Sequence, residues 1–453
     1  MSTLAERYEK ADWTAAMIRK QGNYTTLVNE LDRFYSGDHS PMVGAQGYLS
    51  QVFPQSYAGG KLRLSSQPLL FRLINAAATL FHQRPGWKLL RDGQPLESTD
   101  PDAVIFKAIR KEAQLDLRCR HLQRRDILFG TVFGRPAWRN DKLRIDVLKP
   151  SAVEVLESST DPADLDDAVA ISVRTDADRR EIWEKPNSQN GGVWTYGIVN
   201  EKDGSVTDSL FGDSVNGYGC YPFVAFSTYP SLTSVYATVD QTAHDQQVGA
   251  NLLESWADFQ FRLGFSIAVI KTAQELGRDA LPISPDMLVA LNPGSEEDFN
   301  RIASGLDTNQ LTGYVDAKLK RYFALRGVDP DIISTDGKQM IAALTGVNEQ
   351  MQRVDLQELR QDAAIPYEFA LDALFQKIRA VWNWHRGDMP LSEALELEIE
   401  WLKPPVPGNE LQQAQADEIR IEQGTATADE IRAQRLGKPV SDLPPGAGGE
   451  RDD

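Results

Sequence analysis

The helical rods in this chain constrain its fold more than any other feature. From Met340 to about Trp384 apolar residues recur at helical spacing: Ile341, Leu344, Val347, Met351 and Val354, then Tyr367, Leu371, Leu374, Ile378, Val381 and His385. About 45 residues of nearly continuous helix far exceeds the usual ~11–12, so the length is architectural. Pro366 lies between the halves and is expected to kink or break the rod, because it removes a backbone donor and crowds the previous turn. A second rod runs from Thr238 to Leu263, with Val248, Leu252, Trp256, Phe259 and Leu263 on one stripe. Gln247, Asn251, Glu254, Asp258 and Arg262 form a polar stripe about 120° away on a helix roughly 39 Å long. A third, about Thr312–Arg326, carries Val315, Leu319 and Tyr322 with the Asp316/Lys320 pair at i, i+4. Between the last two lies a small mixed segment with strand-like Ile267–Lys271 and Met287–Leu291 and turns at Pro282, Pro285 and Pro293-Gly294. Two amphipathic rods flanking a small module need neighbours to bury their stripes.

The rest of the chain reads as α+β. At 453 residues it exceeds one compact core. Helical patterns cover about 1–37, with Leu27, Leu31 and Phe34 on one face and Gly37 as the stop, then Leu69–Phe81 and Val104–Phe129, closed by Gly130. The period then changes to two. Val132–Arg139, Leu143–Leu148, Val153–Leu156, Ala168–Arg174, Glu181–Glu184, Val193–Val199 and Phe223–Ser227 are short strand-like runs. Turns such as Asn140-Asp141, Asn190-Gly191 and Asp203-Gly204 separate them, predicting a meandering, mostly antiparallel sheet. Glu396–Trp401 is a further strand candidate. Asn409–Gln423 and Ala428–Leu436 read as helices, the second opened by a Thr427-Ala-Asp-Glu430 capping box. The tail Leu443–Asp453 is expected to be disordered.

Charge and chemistry exclude several classes. The net charge of −17 disfavours electrostatic gripping of nucleic acid or of an anionic membrane. Two cysteines cannot make a disulfide framework and favour a reducing compartment. No run is long enough to span a membrane, and charges replace the apolar run of a signal peptide, so a soluble, intracellular chain is expected. No Walker loop, nucleophile elbow, zincin motif or calcium loop is present, which disfavours an ATP-driven motor. Asp240 and His244 share a helix face but lack a third metal ligand. Asp161, Asp164, Asp166 and Asp167 read as a solvated loop rather than a cation site. Cys119 and Cys220 read as buried or free thiols. Arg118, Arg120, Arg124 and Arg125 form the densest basic patch and are expected in ion pairs within or between subunits. A DNA-reading helix pair at the C-terminus is disfavoured by ten acidic against five basic residues from Glu410 onward. No catalytic set, metal site or cofactor is expected.

Several phrases, in order, resemble the portal (head–tail connector) proteins of tailed bacteriophages. They are Leu31-Asp-Arg-Phe-Tyr-Ser-Gly-Asp38, then Leu73-Ile-Asn-Ala-Ala-Ala-Thr-Leu80 with Gln83-Arg-Pro85, and Asp126-Ile-Leu-Phe-Gly130 running into Ala137-Trp138. Leu148-Lys-Pro150 with Val153, Tyr221-Pro-Phe-Val-Ala-Phe226 and Glu418–Ile431 complete the series. Each is short and degenerate; the specificity lies in their order across about 5–436. The 327–340 region lacks the small-residue phrase that some members carry.

The resemblance implies a helix-rich wing with a mixed or antiparallel sheet (1–232), a stem helix (233–263), a small α/β clip (264–311) and a second stem helix (312–326). A tunnel loop (327–339), a long wing helix (340–390) and an α-helical crown (391–453) follow. It implies a ring, in heads a dodecamer, at one capsid vertex, through which DNA is packaged and ejected. The implied partners are other copies of the chain, the terminase large subunit, major capsid and scaffolding proteins, a head-completion or adaptor protein, and double-stranded DNA passing non-specifically. No cofactor and no membrane is implied, and the implied location is the virion after assembly in the host cytoplasm. Asp329, Asp331, Ser334, Thr335, Asp336 and Lys338 would face DNA. Val248, Leu252, Trp256, Phe259, Leu319 and Tyr322 would pack the stem. An acidic channel wall repels phosphate, so a duplex slides instead of sticking. The competing classes are a long-helix scaffold or adaptor that binds protein partners and an enzyme built from dispersed carboxylates.

Overall fold

The computed structural model describes residues 23–58, 60, 62–81, 83–176, 178–188, 190–207, 210–212, 214–262, 266–271, 298–303, 313, 317, 320–324, 328, 346–401, 420–421 and 427–436. In chain order the elements are α1 (Tyr24–Tyr35), α2 (Tyr48–Val52), α3 (Pro54–Ala58), α4 (Leu69–Ala77), β1 (Gly86–Arg91) and β2 (Gln94–Pro95). Then come α5 (Pro101–Glu112), α6 (Leu115–Phe129), β3 (Val132–Arg139), β4 (Lys142–Leu148), β5 (Val153–Leu156), β6 (Ala170–Arg174) and β7 (Arg179–Glu184). β8 (Thr195–Asn200), β9 (Val206–Thr207), β10 (Val224–Phe226), α7 (Gln241–Arg262), β11 (Ser266–Lys271) and β12 (Asp298–Ala303) follow, with α8 (Gly346–His385), β13 (Leu395–Glu400) and α9 (Ala428–Leu436) last. The architecture is mixed α+β.

The chain divides into two units. The first comprises 1–29, 74–240 and 336–453 and among its described residues holds three antiparallel sheets, ordered β13-β1-β2, β10-β3-β4 and β5-β6-β7-β8-β9. The β3–β4 hairpin turns on Asn140 and Asp141, both at positive φ (52° and 55°), the mirror-image turn whose twist matches the strands. One buried apolar cluster joins α5, α6 and α8 to the β3 and β1 sheets through Phe106, Leu115, Leu122, Val132, Tyr367 and Phe375.

Three sequence expectations change in this unit. The single helix expected over Val104–Phe129 is two, because Gln114 adopts a left-handed φ of 52°. Ala113 and Leu115 are buried on either side of it, so the break serves core packing. Pro366 neither breaks nor ends α8, which runs through it over 40 residues. The carbonyl that loses its donor belongs to Asp362, a residue exposed to solvent. Strand β1 shows only a weak alternation in the sequence; it exists because it pairs with β13, Trp87 opposite Ile399 and Leu89 opposite Leu397. The strand candidate Glu396–Trp401 is present as Leu395–Glu400, inside the span that the resemblance gave to an α-helical crown.

The second unit comprises 30–73 and 241–335. Its described parts are the end of α1, α2, α3, an extended stretch at 62–68, α7, the β11–β12 pair and helical residues 320–324. Strand Ser266–Lys271 matches expectation, but its partner is Asp298–Ala303, an antiparallel run that the sequence pattern did not mark. Met287–Leu291, residues 304–312, 340–345 and the tail 443–453 lie outside the described residues. The Thr427 capping box forms as spaced. The Thr427 amide donates to Glu430 Oε2 at 2.8 Å and the Glu430 amide to Thr427 Oγ1 at 3.2 Å.

Candidate functional site

Helix α7 is seated by polar side chains as well as by its apolar stripe. Gln247, Asn251 and Ser255, spaced i, i+4, i+8, are each fully buried. They serve the extended chain at 65–67 and the first turn of α4 as a neighbouring strand would. The Ser65 amide donates to Ser255 Oγ (2.9 Å), and Ser255 Oγ lies 3.2 Å from the Ser65 carbonyl. The Gln67 amide donates to Asn251 Oδ1 (3.3 Å) and the Leu70 amide to Gln247 Oε1 (3.1 Å). Gln247 Nε2 donates to the Gln67 carbonyl at 2.8 Å, and Gln67 Nε2 reaches Glu254. The cause is the backbone rule: backbone groups turned toward a buried helix face outside any sheet still need partners, and amide side chains at helical spacing supply them.

The same face continues toward the start of α7. His244 Nε2 is 2.7 Å from Glu30 Oε2, and Tyr48 Oη donates to that oxygen at 2.9 Å. Burial, and then the Glu30 contact, pushes the Tyr48 hydroxyl up to about 12. The His39 ring, held below the ordinary histidine range by burial, lies 3.1 Å from Asn251 Nδ2. His244 therefore uses its ring on Glu30 and Asp245. Among the described residues no group of three or more His, Cys, Asp or Glu is placed to hold a metal ion.

Of the expected stem residues, Val248, Phe259 and Tyr322 are buried, and Leu252 and Trp256 are half-buried. Trp256 stacks on Phe53 with ring centroids 5.0 Å apart and planes within 5°. Tyr322 and Phe323 line a small cleft with Leu70, Leu73, Ala243 and Gln247, beside the first turns of α7. Leu319 and all six expected DNA-facing residues, Asp329, Asp331, Ser334, Thr335, Asp336 and Lys338, lie outside the described residues.

In the first unit, the stretch ahead of α7 is bolted to α6 and to strands β3 and β5. Ser227 Oγ donates to the Gly130 carbonyl (2.7 Å) and the Ala237 amide to Thr131 Oγ1 (2.8 Å). Tyr236 Oη donates to the Val153 carbonyl (2.8 Å) and accepts from the Val155 amide (3.1 Å). Gly130 is required twice over. Its φ is +76°, and a Cβ there would sit 2.8 Å from the Thr238 carbonyl oxygen. Asp126 is the centre of this joint. The Thr228 amide (2.9 Å), Thr228 Oγ1 (2.6 Å) and Tyr367 Oη (3.0 Å) all donate to its Oδ2. Burial outweighs these three donors and raises the carboxyl to about 7.

The remaining candidates resolve into structure. Asp161 and Asp164 accept from nearby amides as turn residues, Asp166 pairs with Lys377 (2.7 Å), and Asp167 pairs with Lys185 (2.9 Å). Cys119 is a buried free thiol, raised by burial; Cys220 is free and half-buried. Arg120 donates to the Phe81 carbonyl, and Arg125 lies over Phe129. Arg118 and Arg124 have no ion-pair partner among the described residues, and the Nε of each is buried without a hydrogen bond. Among the described residues no helix is long and apolar enough to cross a membrane. Sequence reasoning missed Asp126 and the Gln247/Asn251/Ser255 row. The available signal was that Gln247 and Asn251 carry no charge in a stripe that also holds Glu254, Asp258 and Arg262.

No protein-family model matches the sequence, and no curated protein is similar to it. Solved structures are similar. One is the virion of a native gene transfer agent (GTA) particle, at 13% identity and a TM-score of 0.38 over 83% of this chain and 91% of that chain. The neck of a native GTA particle computed with C12 symmetry is similar at 14% identity and a TM-score of 0.41, over 85% of this chain and 98% of that one. The neck of an empty GTA particle computed with C6 symmetry is similar at 14% identity and a TM-score of 0.42, again over 85% and 98% of the two chains.

Proposed function

We propose that the chain is the subunit of a phage portal: a homo-oligomeric ring at one capsid vertex, non-enzymatic, through which DNA is packaged and ejected. One observation carries this reading. Helix α7 leads out of its socket, the β11–β12 pair follows, and residues 320–324 bring Tyr322 and Phe323 back beside Ala243 and Gln247. That out-and-back course is what a stem–clip–stem arrangement requires. The ordered sequence phrases and the net charge of −17 support it further.

In this reading 1–232 is the wing, 233–263 and 312–326 are the stem, 264–311 the clip, 327–339 the tunnel loop, 340–390 the long wing helix and 391–453 the crown. The terminase docks on the clip during packaging, and head-completion proteins replace it. Twelve copies form the ring in a virion. The motor is on another chain. The test is deletion of 329–336, or Lys338→Glu, scored for ring formation and for packaged DNA. The expected result is an intact ring with reduced packaging; loss of assembly refutes the tunnel-loop assignment, and full packaging without the chain refutes the function.

A further inference from the structure

Two helices of the first unit bury one face in the same core and leave the opposite face open. On α6, Leu115, Cys119 and Leu122 point into the core, while Leu117 is 48% exposed. Leu117 shares its outer face with His121 and Arg124, and Arg118 borders it. On α8, Tyr367, Leu371 and Leu374 point into the core, while Ile365 and Phe369 are 62% and 75% exposed. They sit one turn apart, flanked by the exposed carboxylates of Asp362 and Glu368.

Each face alone is an anomaly. Ile365 and Phe369 form an apolar pair at helical spacing, which isolated surface residues do not. Among the described residues Arg118 and Arg124 find no carboxylate, in a sequence with 65 acidic and 48 basic residues. Together they are complementary: an apolar residue among cations and an apolar pair among anions. We infer that the α6 face of one copy docks on the α8 face of the next. The partner is a second copy of this chain, and the contact joins two different patches, which is the kind that propagates head to tail and closes into a ring. The inference rests on the ring reading and names its wing contact.

Charge swapping tests it. Arg118→Glu with Arg124→Glu reverses one face; Asp362→Arg with Glu368→Arg reverses the other. Particle mass is read by native mass spectrometry, with circular dichroism confirming that each variant is folded. Each pair alone should reduce the ring fraction at least tenfold, and mixing the two variants one to one should restore it, because each interface then joins opposite charges. If the wild type forms rings and both variants do too, or if mixing restores nothing, the docking is refuted while the ring stands. If the wild type forms no ring, the ring reading itself fails. If a variant does not fold, Leu117→Cys with Phe369→Cys decides. Oxidation should link successive copies into a ladder; only intrachain or no linkage overturns the inference.

Discussion

The two units keep their elements in place by opposite means. The first is an apolar core in which Phe106, Leu122, Phe375 and their neighbours interlock between two sheets and three helices. The second seats its main helix on a row of buried amides and a hydroxyl. An apolar stripe tolerates sliding, because burial is non-directional. The Gln247/Asn251/Ser255 row does not: a shift along the axis would strand several backbone groups at once. A helix that must stand at a fixed height relative to its neighbours gains from such a lock.

The contrast breaks most severely in the first unit. Tyr367→Ala removes a fully buried ring and one of Asp126's three donors, and should cost about 3–5 kcal/mol in denaturant unfolding. Tyr367→Phe should cost about 1 kcal/mol. A cost for Tyr367→Ala as small as that for Tyr367→Phe would show that the ring is not packed as described.

Asp126 makes the next largest effect, and its sign is opposite to that of a paired carboxylate. Its folded pKa, about 7, is above the ordinary 3.8, so the folded state holds a proton that the unfolded state gives up. Stability should therefore fall as pH rises from about 4 to 7, with a slope of up to about 1.4 kcal/mol per pH unit, and level off above. Asp126→Asn keeps an acceptor for the three donors and should flatten that slope. A rising slope in the wild type would contradict the buried, neutral carboxyl.

In the second unit, Gln247→Ala leaves the Leu70 amide and the Gln67 carbonyl without that partner, at a cost of about 1–3 kcal/mol. Amide exchange at Leu70 should quicken, while the first unit's core amides are unchanged. Equal protection at Leu70 in both proteins would place the lock elsewhere. The smallest effect is Thr427→Ala, about 0.5–1 kcal/mol of local helix stability from losing the N-cap. It should be visible as faster exchange over 428–431 alone.

Local rules made part of this fold legible. The Thr427–Glu430 box, the Asn140-Asp141 turn and strand Val132–Arg139 each follow from a few adjacent residues. What the sequence concealed is non-local or competitive. Strand Gly86–Arg91 depends on a partner some 300 residues away, and the Gln114 break has no glycine or proline to mark it. The buried row on α7 was legible as a stripe but not as an interior. Polarity usually marks solvent, and here it marks an extended chain that needs donors and acceptors. Of the candidate site, helix Gln241–Arg262 and the strand that follows it were readable, because amphipathic spacing survives without any partner in view.

The central claim is the ring. Class averages of the purified particle by electron microscopy test it most directly. End-on views should show rotational symmetry and a central channel; small compact particles with no channel at micromolar concentration would contradict it.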